Sequence, residues 1–344
     1  MAIPVDVTFH AGWWHSNAGV NFNEDFFCNP KYRVEADVKM RKLLYEKFGG
    51  SGLGESNPRP RPIMGSDLLA SGYLFSQIMG CEVRFSDDNP PEVLCANLSD
   101  TMAAAFQAPY LSHSKCWKQT LEQFEYLKSI YGYVDSHINL QGVQNIALDL
   151  RGSELYIDYY DKVEIAQNMI RESTRIMLET GRVIRNYSRV VSHGVTAITR
   201  MVMPDVYLTS NCTVEMISQE IYEDFLLQAD TRLAEEFQPF GIHHCGKTME
   251  HLAEGYKKVK NLAFAEVGAG SDILKVRQAL PGVFLNLRYS PVKIKTVMPE
   301  ELMHELEEMA AAAGTLFSIS CVGIDADTED RQIENFITCV KNLK

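Results

Sequence analysis

The chain has 344 residues, of which 23% are charged and 46% are of hydrophobic type, enough apolar material for a sizeable core and too much for a largely disordered chain. Lys plus Arg number 33 against 45 for Asp plus Glu, a net charge of −12. Such a surface repels phosphate backbones and anionic lipid, so neither nucleic acid nor membrane is expected as a partner.

The opening MAIPVDVTFHAGWWHS lacks the basic and apolar pattern of a secretory leader, and the chain has no run of about 18 apolar residues. Eight cysteines spread thinly over this length read as reduced thiols of a cytoplasmic protein, some of them available as metal ligands. From residue 1 to about 62 the texture is irregular, with one helix in VEADVKMRKLLYEKF, and this segment reads as an extension packed on the rest of the chain. Residues 63–344 read as a single barrel domain. TLEQFEYLKSIYG is helical, VDSHINLQG is a strand with its exit loop, and KVEIAQNMIRESTRIMLETGRVIRNYSRV is a long amphipathic helix. PDVYLTSN, GIHHCG, NLAFAEVGAG, GVFLNLRYSP and TLFSISCVGID are strands, separated or followed by helical segments that end with EDRQIENFITCVKNL. Strand–helix alternation over this length predicts parallel pairing through right-handed crossovers, hence an α/β fold of the (β/α)8 TIM-barrel type. The open-sheet alternative lacks its dinucleotide fingerprint, since no GxGxxG follows a strand.

The segment Gly241–Gly246 carries the chemistry. Side chains alternate along a strand, so His243 and Cys245 face one way and His244 the other. At the C-terminal end of a barrel strand this pair projects into the mouth, where barrel enzymes keep their active sites. Glu266 ends the next strand and Cys321 ends the last. An imidazole, two thiolates and a carboxylate at one mouth make a tetrahedral Zn²⁺ site. HxC alone is weak evidence, and Cys321 taken singly reads as a core thiol; the case rests on convergence.

These residues resemble the uroporphyrinogen decarboxylase superfamily, and within it the zinc-dependent corrinoid methyltransferases. GVQNIALDLRGSELYIDYYDKVE and the helix leading into GIHHCG have the layout of that family, whose zinc pattern is HxC followed at long spacing by a second Cys. Here Cys321 follows Cys245 by 76 residues, and Glu266 follows it by 21, near where related cobalamin-independent methionine synthases place a Glu. The resemblance implies zinc on His243, Cys245, Glu266 and Cys321. It also implies methyl transfer between a small methylated substrate (methoxy, methylamine or thiol type) and a corrinoid (cobalamin) carried by a separate protein, and it is compatible with a homodimer. The arginine-bearing start of the decarboxylase branch is absent, since the first Arg is Arg33. Asp135-Ser136-His137 begins a corrinoid motif without its glycine, so the chain is not expected to carry the corrinoid itself. The alternatives are a metal-independent lyase of decarboxylase type and a non-catalytic barrel that binds a methylated ligand.

Other residues have weaker claims. Trp13 and Trp14, with His15 beside them, read either as a hydrophobic plug or as an aromatic wall for a methylated substrate. Asn211 follows a strand and reads as a mouth residue or a helix N-cap. Glu215 is a candidate general acid or alternative metal ligand. Asn286 and Arg288 share one strand face, and Arg288 reads as a substrate anchor or half of an internal salt bridge.

Overall fold

The computed structural model describes residues 2–343. Ten strands occur among them: β1 (Val5–Phe9), β2 (Ile63–Gly65), β3 (Glu82–Arg84), β4 (Glu92–Leu94), β5 (Asp135–His137), β6 (Tyr207–Ser210), β7 (Phe240–His244), β8 (Leu262–Val267), β9 (Phe284–Tyr289) and β10 (Phe317–Ile324). Six of them form a curled parallel sheet in the order β1-β10-β9-β8-β7-β6. The parallel pair β2-β5 completes the eight-strand circuit of a TIM barrel, joined to the sheet by a bridge between Gln141 and Ser210. Strands β3 and β4 form a separate antiparallel hairpin.

Residues 5–9 overturn the reading of residues 1–62 as an extension. β1 pairs in parallel with β10, Val5 opposite Ile319 and Val7 opposite Cys321, so the barrel begins almost at once. The misreading has a physical origin. In VDVTF the barrel interior takes the polar positions, Asp6 meeting Arg200 at 2.7 Å, while the alternate apolar side chains face the helices. A five-residue strand of this kind gives little periodic signal. His10 then caps the helix Ala11–Ala18, its Nδ1 accepting from Gly12 N at 3.2 Å. Trp13 and Trp14 lie inside that helix and are fully buried. Trp13 stacks on Phe9 with ring centroids 4.0 Å apart, and Trp14 donates Nε1–H to Leu68 O at 3.0 Å.

The long helix Val163–Tyr187 buries Ile165, Met169, Ile176, Met177 and Ile184 on one face, as its sequence period requires. After it, residues 191–199 run wholly buried beside β5 and β6. Ser136 N donates to Val190 O, and Leu208 N donates to Ser192 Oγ. Gly194 is obligatory in this passage, because a Cβ there would fall 1.8 Å from His137 O. Arg200, at its end, also reaches Asp67 after β2, so ion pairs bridge the seam between β1 and β2.

Candidate metal centre

Strand register builds the site. His243 on β7 stands opposite Ser210 on one side and Glu266 of β8 on the other, and Glu266 stands opposite Asn286 of β9. These side chains share the interior face. Asn211 N donates to His243 O at 2.7 Å, which locks the end of β6 to β7 and fixes the turn Cys212–Met216 beside the HxC segment. Gly268 allows the loop after β8 to pack on this one, since a Cβ there would lie 1.6 Å from Gly246 O.

The consequence is a cluster of Cys212, His243 and Cys245 whose donor atoms all lie within 4.8 Å of one another. The two sulfurs are 3.0 Å apart. His243 Nδ1 is 2.6 Å from Glu266 Oε2 and 3.0 Å from Thr196 Oγ1, and Thr196 also donates to Glu266 Oε2. Nε2 of His243 is therefore the nitrogen left for the sulfurs. Arg288 Nη1 lies 3.3 Å from Glu266 Oε1 and completes the interior chain of charges.

Burial alone would lower the His243 pKa, but Glu266 and the two nearby thiols overcome it and hold it well above the ordinary value. Burial would raise Glu266, yet His243, Arg288 and Thr196 bring it down to about 2. The sulfur pair divides its protons. The shared hydrogen bond and burial hold Cys212 as the thiol, while the same bond, with His243 and Arg288, favours Cys245 as thiolate. A proton-retaining Cys–His–Cys group fits a thiophilic divalent cation, which would displace those protons and take two sulfurs and one nitrogen. Three protein donors would leave a fourth position of a tetrahedral ion open.

Two of the ligands expected from sequence, His243 and Cys245, are thus brought together. Cys321 is not. Its neighbours Ser318 and Ser320 face the interior, bonded to Asn286 at 2.9 Å each, so strand alternation turns Cys321 outward. It pairs in register with Tyr289, whose ring packs against Phe336 of the C-terminal helix. Burial pushes the Cys321 thiol up to about 12, which Arg288 only partly offsets. Glu266 stands behind His243 rather than beside the sulfurs. Cys212 is the residue sequence reasoning missed; it directly follows Asn211, at the end of a strand already recognised. Thr196 was missed as well, having no motif around it.

The remaining candidates separate clearly. Asn211 is buried and donates to Asp230 Oδ2 at 2.8 Å, neither in the mouth nor capping a helix through its side chain. Glu215 accepts from Lys247 N and staples the loop that carries Cys245. Asn286 is buried between Ser318 and Ser320, and Arg288 makes the internal salt bridge to Glu266. His15 meets Asn21 at 3.0 Å in the N-terminal segment. With Trp13 and Trp14 in the core, no aromatic wall forms there. His244 faces away and is held by Tyr256 OH and Thr248 O at 2.9 and 3.0 Å.

A cavity of about 370 Å³ opens beside the cluster, lined by Cys212, His243, Ser210, Asn139, Gln141, Asn145 and Asp149 among others. These residues lie at or beyond the C-terminal ends of their strands, the catalytic end of such barrels. Among solved structures, a methyltransferase from Methanosarcina mazei superposes with a TM-score of 0.68 at 14% identity, over 98% of this chain and 93% of that one. The chain shares that protein's fold. A B12-independent methionine synthase from Shewanella sp. W3-18-1, in complex with selenomethionine, aligns over 99% of this chain and 96% of its own at 8% identity and a TM-score of 0.46. No family model and no curated protein matches the sequence. Among the described residues no helix is long and apolar enough to cross a membrane.

Proposed function

We propose that this chain is a zinc-dependent methyltransferase that moves a methyl group between a small methylated substrate and a corrinoid carried by a separate protein. The observation that supports it is the Cys212–His243–Cys245 group at the barrel mouth, open to a cavity of substrate size. Zinc held there would keep a substrate sulfur as thiolate at neutral pH, or stabilise a leaving alkoxide or amine. The chain's own part is positioning and proton control. Glu266 and Thr196 fix the ring of His243 through Nδ1. Arg288 neutralises Glu266, so the carboxylate does not add an unbalanced charge beneath the site.

Methyl transfer is an in-line displacement, so the donor and acceptor must approach from opposite sides of the methyl group. The cavity holds the small molecule, and the corrinoid protein approaches from the open mouth. Demethylation is the favoured direction, from a methylated heteroatom in the cavity to cob(I)alamin, which alone can accept a methyl cation equivalent. The cavity lining holds no Arg or Lys, which weighs against a polycarboxylate substrate of decarboxylase type. The test is zinc content of protein purified without added metal, followed by incubation with reduced corrinoid and a panel of methyl ethers, methylamines and thioethers. Spectral formation of methylcobalamin supports the reading. Metal-free protein that neither forms nor consumes methylcobalamin overturns it.

A further inference from the structure

The mouth cavity carries one carboxylate and no Lys or Arg, and the charge on His243 is matched by Glu266 behind it. Asp149, in the helix Val143–Arg151, lines it together with Cys212 and His243. Both hydrogen bonds that the Asp149 carboxylate accepts go to one oxygen, Oδ2: from Ser76 Oγ at 2.5 Å and Gln141 Nε2 at 3.2 Å. Gln141 also donates to Ser76 Oγ at 2.7 Å and accepts from the backbone N–H groups of Phe75 and Ser76 through Oε1. This network fixes the carboxylate's orientation and leaves Oδ1 without a hydrogen-bond partner or ion-pair partner among the described residues.

Asp149 therefore differs from most interior acids; Asp230 also lacks a cation, but it is held by Asn211 and Tyr222 and does not line the cavity. Asp6 and Asp67 meet Arg200, Asp67 also meets Arg61, Asp158 meets Arg151, and Glu266 meets Arg288. A half-buried carboxylate with no counter-charge is costly unless a ligand supplies one. Burial raises its pKa against the pull of the Ser76 and Gln141 hydrogen bonds. The metal cluster does not supply the missing charge, because a divalent ion on two thiolates and a neutral imidazole is itself balanced. The rest of the lining fits a small polar molecule: Asn139 and Asn145 offer amides, and Leu148, Val93 and Pro91 a short apolar wall.

We propose that this cavity binds a small organic ammonium ion, its N–H group on Oδ1 of Asp149 and its reactive end toward Cys212 and His243. The inference rests on the methyl-transfer reading only for the role of that ion as substrate; the binding itself stands on the cavity. The chemical class is a protonated primary, secondary or tertiary amine that bears a methylated oxygen, nitrogen or sulfur within a few bonds. A quaternary ammonium has no N–H to give Oδ1, and an acid would meet the carboxylate with like charge.

The probes are 2-methoxyethylammonium, its neutral analogue 2-methoxyethanol and the anion methoxyacetate, which keep one methoxy end and change the head-group charge. Calorimetry on the intact protein at pH 8 is expected to show the ammonium binding at least about tenfold tighter than the alcohol, with no binding of the anion. Asp149→Asn keeps an acceptor for Ser76 and Gln141 and is expected to bring the ammonium within about threefold of the alcohol. Equal binding of the ammonium and the alcohol by the wild-type protein overturns the proposal, whether or not the variant folds. Unchanged ammonium affinity in a folded Asp149→Asn variant overturns it too. Zinc and methylcobalamin turnover measured on the same samples separate the two ideas: bound zinc without ammonium preference defeats this proposal alone, and ammonium preference in metal-free protein that neither forms nor consumes methylcobalamin defeats the methyltransferase reading alone.

Discussion

His243 and Glu266 are register partners on adjacent strands, and His243 Nδ1 lies 2.6 Å from Glu266 Oε2. The carboxylate fixes both the tautomer and the direction of the ring, because a nitrogen that donates to Glu266 turns the other toward Cys212 and Cys245. Glu266→Gln keeps the shape and removes the charge. It is expected to weaken zinc binding by about 10–100-fold with the fold retained, read by competition with a chromogenic chelator. An unchanged affinity would show that Glu266 has no part in the site.

The ligand assignment itself separates three cysteines. Cys212→Ala and Cys245→Ala are each expected to lose bound zinc in elemental analysis while keeping the wild-type circular dichroism. Cys321→Ala is expected to keep its zinc and to lose about 1–2 kcal/mol of stability as a core truncation. Zinc lost from the Cys321 variant and retained by the Cys212 variant would reverse the assignment.

Zinc binding should release protons. In the metal-free chain His243 is held charged by Glu266, so its contribution to stability is full below about pH 6.5 and is lost as pH rises through its elevated folded pKa. Cys212 holds a second proton. Both must leave when a metal binds, so affinity rises with pH, and about two protons per zinc should appear at pH 7. Titration calorimetry in buffers of different ionisation enthalpy measures that number. No buffer dependence would contradict the proton assignments.

Asp230 supplies a stability prediction remote from the metal. Burial raises its pKa to about 6 against the pull of Asn211 and Tyr222. Between pH 3.8 and that value the folded protein holds a proton the unfolded chain has released, so stability falls as pH rises through this window. Above about pH 6 the buried charge costs up to about 3 kcal/mol. Asp230→Asn keeps an acceptor for both partners, and is expected to raise the melting temperature at pH 8 and to have little effect at pH 4. A melting temperature lowered at pH 8 would refute this.

Trp14 is a core residue with one polar duty, its bond to Leu68 O. Trp14→Phe is expected to cost about 1–3 kcal/mol in denaturant unfolding through lost volume and an unpaired carbonyl. Zinc content and probe binding should not change. A binding defect at unchanged stability would restore a ligand-facing role for the N-terminal aromatic pair.

From β6 to the C-terminus the strands and most helices were legible in the sequence, because strands such as NLAFAE and VFLNLRY are long enough to show their character; between β7 and β8, though, KTMEHLAEGYKKV reads as a helix and only Ala253–Tyr256 is one. β1 and β2 were not. Both are short, β2 being only Ile63–Gly65, while β1 places Asp6 and Thr8 inward and runs directly into a helix that holds two tryptophans.

Within the site, the sequence by itself determined that His243 and Cys245 share a face and that Glu266 ends the neighbouring strand, since alternation and element length follow from local chemistry. Tertiary structure decided which sulfur joins them. Cys321 has the spacing of a ligand, but its register with Tyr289 turns it toward the outer helices, whereas Cys212, two residues beyond β6, is carried into the mouth because Asn211 N bonds His243 O. Register between strands far apart in sequence depends on how the whole sheet closes, and no local pattern around a cysteine records it.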